Sequence, residues 1–200
     1  MMKRPNIRDG LPSDASDLAI LADMATRGLT SFLWGGAESD GTAALGRCRE
    51  TIRNNEDHPL YHTHWRVAER EGRLLGALHG NVIQAATTKE PQSHIDTVIQ
   101  PLAELKATAV GSWYTSAIAV FPEAQGQAIG SALLVDAEAQ CRNIRCSQLT
   151  LMVGSFNEGA KRLYNRMGYS EMKRRPFVVF PGSDPQGKWV LMSKAMPQIE

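Results

Sequence analysis

The chain reads as an α/β protein: one mixed, mostly antiparallel sheet of about six to seven strands, with helices on both faces. Three observations lead there. Two strand–helix units follow one another between Trp113 and Tyr169, giving a β-α-β-α core. Strand pairs joined by short turns flank that core as hairpins. With 200 residues, 42% of them hydrophobic, there is chain enough to bury a sizeable core in one domain over residues 1–200.

Taken in order, residues 6–8 form a short first strand, and Ser13 or Asp14 caps a helix that buries Leu18, Leu21 and Met24. Residues 30–39 read as a loop, with Phe32, Leu33 and Trp34 ahead of the pair Gly35-Gly36. A second helix spans residues 42–54, with Leu45, Cys48 and Ile52 on one side. Residues 64–69 and 74–82 are strands about the turn Glu71-Gly72, an antiparallel hairpin. Residues 84–111 exceed the usual connection of at most about 12–15 residues, and a short helix over 95–105, interrupted by Pro101, fits there. The strand 113–120 breaks at Phe121-Pro122, and a helix follows with Ile129, Leu133, Leu134 and Ala137 at helical spacing. A strand over 149–153 leads to a helix capped by Asn157, with Ala160, Leu163, Tyr164 and Met167 on one face and Gly168 closing it. Residues 172–180 and 189–194 finish the chain as strands about the turn 181–187. No internal repeat, low-complexity segment or domain linker interrupts this order.

Several function classes fall away on composition. A formal net charge of +1 lacks the basic excess of a nucleic-acid footprint. Cys48, Cys141 and Cys146 are odd in number and spaced unlike zinc knuckles, so they read as the reduced thiols of a cytoplasmic protein. No apolar core follows the basic start Met1-Met2-Lys3-Arg4-Pro5, which is therefore no signal peptide. No apolar run approaches the roughly 20 residues of a membrane span. His58, His62 and His64 are close in sequence, and His62 shares a strand face with His64 if the strand begins that early. No cysteine or acid completes a ligand set there, and no metal is expected.

The chemistry concentrates where the strand 113–120 gives way to Gln125-Gly126-Gln127-Ala128-Ile129-Gly130. The order strand, small-residue loop, helix aims the backbone N–H groups of a first helical turn into the loop, and the helix dipole adds partial positive charge. Small residues let a phosphate approach the backbone closely. The spacing argues against a Walker loop, because no Lys-Ser or Lys-Thr pair follows Gly126 or Gly130. A dinucleotide fingerprint needs an acid on the next strand, and Leu149-Thr150-Leu151-Met152-Val153-Gly154 has none.

What remains resembles the pyrophosphate loop of the GNAT acyltransferase superfamily, Arg/Gln-x-x-Gly-x-Gly/Ala. Gln125 and Gly130 fit that pattern, and Ala128 stands where Gly is usual. A positive φ at Ala128 costs about 1–2 kcal/mol, whereas a helical conformation costs little. A second segment, Asn157, Ala160 and Tyr164 followed by Gly168-Tyr169, is similar to the family's Asn-x-x-Ala-x-x-x-Tyr and Gly-Phe/Tyr. The resemblance covers nearly the whole chain. It implies a sheet splayed between the fourth and fifth strands, where acetyl-CoA enters as acyl donor. It assigns acetyl-CoA contacts to Ile118, Ala119 and Val120 on the fourth strand. It adds Gln125, Gly126, Gln127, Ala128, Ile129, Gly130 and Ser131 in the loop and helix start, then Asn157 and Tyr164. On the fourth strand the backbone matters: an extended edge pairs with pantetheine amides, and a free N–H stabilises a developing oxyanion. The side chains of Ile118 and Val120 read as core, and Phe121 stands where relatives often carry a polar residue. Asn157 bonds the pantetheine arm, caps its helix, or does both. By the resemblance Tyr164 is the catalytic acid for the departing thiolate; a phenol near pKa 10 gives a nearly balanced transfer to it.

The general base stays open between His79, Tyr114 and Glu69 acting through water, since the fourth strand has no carboxylate. Lys173-Arg174-Arg175 competes with Lys161 and Arg162 for a nucleotide phosphate or an anionic acceptor, against the ordinary reading of a solvated strand end. The resulting expectation is acetyl transfer from acetyl-CoA to a primary amine of a small molecule or peptide, by direct attack in a ternary complex. The partner is that amine acceptor rather than nucleic acid or membrane, and a homodimer is compatible with the resemblance. The alternative is a non-catalytic acyl-CoA-binding module, favoured by Ala128 and the missing carboxylate. The acceptor itself is unspecified; residues 30–39, through Trp34, and residues 84–111 are the expected walls of its pocket.

Overall fold

The computed structural model describes residues 4–35, 41–85, 93–183 and 187–197. In chain order the elements are β1 (Asn6–Asp9), α1 (Ala15–Thr26), α2 (Leu29–Gly35), α3 (Gly41–Asn54), β2 (Trp65–Arg70), β3 (Arg73–Val82) and α4 (His94–Ala107). Then come β4 (Trp113–Val120), α5 (Ile129–Asn143), β5 (Gln148–Gly154), α6 (Glu158–Arg166), β6 (Ser170–Pro176) and β7 (Lys188–Ala195). The strands form a seven-stranded sheet in the order β1-β2-β3-β4-β5-β7-β6. β1–β2, β2–β3, β5–β7 and β6–β7 are antiparallel. β4 and β5 are parallel, and their ladder runs only from Trp113↔Leu149 to Thr115↔Leu151, although β4 continues to Val120 and β5 to Gly154.

The chain clusters into two compact units: Met1–Gly80 with Ala117–Ala137, and Asn81–Ser116 with Glu138–Glu200. In the first unit the core is Leu18, Leu21, Cys48, Ile52, Trp65, Val67 and Ala77, each fully buried. The expected helix at Leu18 forms, but Met24 is 36% exposed rather than buried. The stripe is Leu18, Leu21, Ala22 and Ala25, and Met24 lies about 240° around the helix from Leu18. Asp14 occupies the N-cap position of α1, yet its carboxylate accepts from Leu11 N–H (2.8 Å) and Arg8 Nη1 (2.7 Å) instead of from the helix.

Residues 30–39 were expected as a loop; the structure places a helix, α2, over Leu29–Gly35. α1 ends with Arg27 at φ +53° and Gly28 at φ +86°, and its last side chains cap the next helix. Thr30 N–H donates to Thr26 Oγ1 (3.1 Å) and Ser31 N–H to Asp23 Oδ1 (2.7 Å), so the first turn of α2 is satisfied from outside. Gly36 and Ser39 lie outside the described residues. The hairpin β2–β3 forms as expected, but the residues before it make a 3₁₀ turn, His62–His64, so the strand starts at Trp65. Gly76 on β3 is required by packing: a Cβ there would lie 2.6 Å from the Ala119 carbonyl oxygen.

The second unit buries Leu105, Ala109, Tyr114, Trp189 and Leu191. α4 runs unbroken through Pro101, against the expected interruption. Ser93 Oγ caps it by accepting from Asp96 N–H (3.1 Å), and Val98, Pro101 and Leu105 are buried at helical spacing, so packing offsets the hydrogen bond that the proline cannot donate. β6 ends at Pro176, short of the expected residue 180. Beyond it Phe177 turns onto Trp189 (ring centroids 5.1 Å) and Phe180 is buried, so that stretch serves the core and not the ladder. Met172 is the extra residue at a bulge between Glu171 and Lys173.

Candidate functional site

In the first unit, β4 leaves the core through Ala117 and Ala119, which face the apolar cluster. Ile118 and Val120 are half-buried on the alternate side, which corrects the expectation that their side chains are core. Phe121 packs on the same cluster as Ala119, so an apolar ring at that place is a packing choice. A 3₁₀ turn, Pro122–Ala124, then delivers the loop. Gly126 has φ +75° and Ala128 φ +60°, both in the left-handed region. Of the two conformations open to Ala128, the strained one is observed.

The positive φ at Ala128 turns the chain directly into α5. Ala132 N–H makes the first helical bond, 3.0 Å to the Ala128 carbonyl oxygen. The N–H groups of Ile129, Gly130 and Ser131 precede it and have no acceptor within the helix. Three donors at a helix N-terminus, preceded by small residues, form an anion cradle. Gln125 Nε2 donates to the Val120 carbonyl oxygen (3.3 Å), and Gln127 Nε2 to that of Glu123 (3.0 Å), so both side chains brace the loop from within.

Sequence reasoning missed Arg70, at the end of β2. Its Nη1 donates to Gln127 Oε1 (2.7 Å), and its buried Nε has no partner among the described residues. This fixes a guanidinium against the loop from 57 residues earlier in the chain. No sequence pattern signals such a pairing.

In the second unit, α6 follows β5 as expected. Asn157 Oδ1 accepts from Ala160 N–H (3.2 Å), so the capping role is filled. Tyr164 is buried on α6, and burial pushes its phenol up to about 12. The expectation of a phenol near 10 is corrected: water is excluded from the group, which disfavours the phenolate. α6 closes in a Schellman turn, with Gly168 at φ +88° and Tyr169 N–H donating to the Tyr164 carbonyl oxygen (3.0 Å). The turn sets the two rings 6.1 Å apart.

The base candidates are occupied elsewhere. His79 is buried, with Nε2 2.7 Å from the Pro59 carbonyl oxygen and its ring 5.1 Å from Trp65. Glu69 is ion-paired to Arg8. Tyr114 is fully buried and its phenol is pushed up by burial, with Tyr164 a second cause, which makes it a poor proton acceptor. Among the cations, Arg174 pairs with Glu171 within β6 and Lys161 with Glu158 within α6, whereas Arg175 pairs with Glu104 and ties β6 to α4. The histidines serve the backbone. His62 Nδ1 lies 3.0 Å from the Gly10 carbonyl oxygen and His64 Nδ1 2.9 Å from that of Pro59, and His58 Nδ1 accepts from Leu60 N–H (3.1 Å). Trp34 packs on the first unit's core with its ring 5.5 Å from His58, and its carbonyl oxygen accepts from Arg47 Nη2 (2.6 Å). No helix among the described residues is long and apolar enough to cross a membrane.

The profile of the Acetyltransferase (GNAT) family matches residues 29–169. An uncharacterized N-acetyltransferase of Methanocaldococcus jannaschii is 36% identical over 91 residues, which are 45% of this chain; the chain spans 56% of that relative's length. Among solved structures, an N-acetyltransferase from Staphylococcus aureus Mu50 aligns with a TM-score of 0.67 at 16% identity, over 94% of this chain and 99% of the other. The protein yncA from Salmonella typhimurium, solved with its cofactor acetyl-CoA, aligns at 0.59 and 14% identity over 99% and 97% of the two chains. Both structural likenesses speak to the fold.

Proposed function

The chain belongs to the Acetyltransferase (GNAT) family, and on that premise we propose that it transfers an acetyl group from acetyl-CoA to a primary amine of a small molecule or peptide, as one catalytic domain in the cytoplasm. The observation that carries this reading is the anion cradle at the start of α5, with Gly126 and Ala128 both at positive φ. Three helical N–H groups on Ile129, Gly130 and Ser131, with no acceptor within the helix, suit a pyrophosphate. The Arg70 guanidinium, held on Gln127, adds positive charge at the same loop.

Acetyl-CoA supplies the activated acetyl thioester; the chain supplies binding, orientation and a proton. The cradle holds the pyrophosphate. The backbone of Ile118, Ala119 and Val120 pairs with the pantetheine amides and offers an N–H to the developing oxyanion. Asn157 caps α6 with one oxygen lone pair and keeps its amide N–H groups for the pantetheine arm. Tyr164 donates its phenolic proton to the departing sulfur. A phenol at about 12 is protonated at every physiological pH, so the acid is always loaded. The burial that raises this phenol makes the donation harder, and the same exclusion of water destabilises the thiolate that receives the proton. With His79, Glu69 and Tyr114 engaged, the amine is delivered already neutral or loses its proton to water. The active species is a monomer or a homodimer.

Purified protein incubated with acetyl-CoA and a panel of primary amines and peptides tests the reading by release of free thiol. Acceptor-dependent release supports it. Binding of CoA without release for any amine replaces it with the acyl-CoA-binding module, which the strain at Ala128 and the occupied bases favour. Absence of both binding and release rejects the cradle.

A further inference from the structure

Cys141 and Cys146 have no part in the acetyl-transfer reading, and their placement is specific. α5 ends in a Schellman turn: Arg145 has φ +54°, its N–H donates to the Arg142 carbonyl oxygen (2.9 Å), and Cys146 N–H donates to that of Cys141 (2.9 Å). This turn brings the side chains at the two ends of the longer bond together. In α6 the residues so placed are Tyr164 and Tyr169; in α5 they are two thiols. Cys141 Sγ lies 3.2 Å from the Cys146 carbonyl oxygen, and the Gln148 carbonyl oxygen is 3.9 Å from Cys141 Sγ and 3.4 Å from Cys146 Sγ. A disulfide needs Cα atoms within about 7 Å. The path from Cα through C=O···H–N to Cα, closed by the 2.9 Å bond, reaches about 6.8 Å at most.

We propose that Cys141 and Cys146 are a reversible dithiol–disulfide pair, oxidised by a peroxide and reduced by a dithiol. Cys146 is the half-buried member and meets the oxidant; Cys141 is fully buried. Burial, then the neighbouring Cys146, pushes the Cys141 thiol up, which keeps its thiolate scarce and makes its attack, rather than the oxidation of Cys146, the slow step. Cys146 sulfur attacks one peroxide oxygen, the O–O bond breaks, and a sulfenic acid and water form. Cys141 sulfur then attacks the sulfenic sulfur, the S–O bond breaks, and the Cys141 proton leaves with hydroxide as a second water. Two thiols are oxidised and one peroxide is reduced to two waters.

The folded protein is exposed to hydrogen peroxide, the oxidant is removed, and the chain is unfolded in urea, alkylated, cut with trypsin and weighed. Trypsin cleaves after Arg142 and Arg145, so the bond would join residues 107–142 to residues 146–161. The expected result is that joined species, 2 Da below the sum of its thiol peptides, with Cys48 alkylated and both thiols restored by dithiothreitol. Under the same exposure Cys146→Ser should leave Cys141 alkylatable, and Cys141→Ser should leave a sulfenic acid on Cys146 that dimedone captures. The proposal is overturned if wild-type Cys146 oxidises while Cys141 stays alkylatable, if the bond joins Cys48, or if neither thiol reacts.

Discussion

Ala128 is the residue at which a single methyl group tests the geometry of the anion cradle. It sits at φ +60° immediately before α5, where its Cβ crowds its own backbone, at a cost of about 1–2 kcal/mol. Ala128→Gly removes that strain. The replacement also frees the unfolded chain, which costs about 0.4–1 kcal/mol. The balance is a net gain between nothing and about 1.6 kcal/mol, and its upper half corresponds to a rise in melting temperature of roughly 2–6 °C for a chain of this size. Urea unfolding read by tryptophan fluorescence measures it, with Ala128→Val as the companion, since a β-branched side chain at positive φ should be clearly less stable than wild type. Calorimetric titration with CoA then separates strain from function. The donors on Ile129, Gly130 and Ser131 already lack a helical acceptor in the wild-type loop, so Ala128→Gly should bind CoA within about threefold of wild type. If Ala128→Gly instead loses stability and Ala128→Val does not, Ala128 is helical in solution and the cradle as described does not exist.

Three further outcomes follow from the same structure. Tyr164→Phe should lower kcat by roughly 10²-fold or more with CoA affinity held, since general acid catalysis is worth about 10²–10⁴, and steady-state kinetics with calorimetry decides it. Tyr114, Tyr164 and Tyr169 are all raised by burial, so the folded state holds their protons longer than the unfolded state does. Their contribution is complete below the unfolded value near pH 10 and lost as pH rises through the folded values, so urea midpoints should fall above about pH 10; a midpoint level to pH 11.5 removes this account. Trp34→Ala should cost about 2 kcal/mol of stability, less than for a fully buried ring, because Trp34 packs on the core from a half-buried place. An altered acceptor KM with unchanged stability would instead return Trp34 to the acceptor pocket.

Helical periodicity and caps made α5 and α6 legible, because Ile129, Leu133, Leu134 and Ala137 are set by local spacing and Asn157 and Gly168 by local backbone needs. α2 was not legible. Its seven residues are too few for a periodic signal, and its caps come from Thr26 and Asp23 of the preceding helix. Pro101 misled for the opposite reason: a strong local breaker was outweighed by packing at Val98 and Leu105. In the candidate site, the loop residues could be named from sequence, but the sign of φ at Ala128 could not, since alanine is compatible with either branch. Arg70 was invisible because its partner, Gln127, is a contact across the fold. The bases failed as a group because exposure and hydrogen bonding, which decide whether His79 or Glu69 is available, are tertiary properties.

The strand order β5-β7-β6 bears on how the polypeptide acquires its shape during synthesis. β7 is made last among the described strands, and it hydrogen-bonds to both β5 and β6. Until Lys188–Ala195 leave the ribosome, each of these earlier strands carries an open edge, ready to pair with another nascent chain. At roughly 5–20 residues per second this interval lasts seconds, long compared with the microseconds in which a hairpin forms. Deleting Lys188–Ala195 would therefore strip partners from two strands at once, and the expected product is aggregate rather than a shortened enzyme.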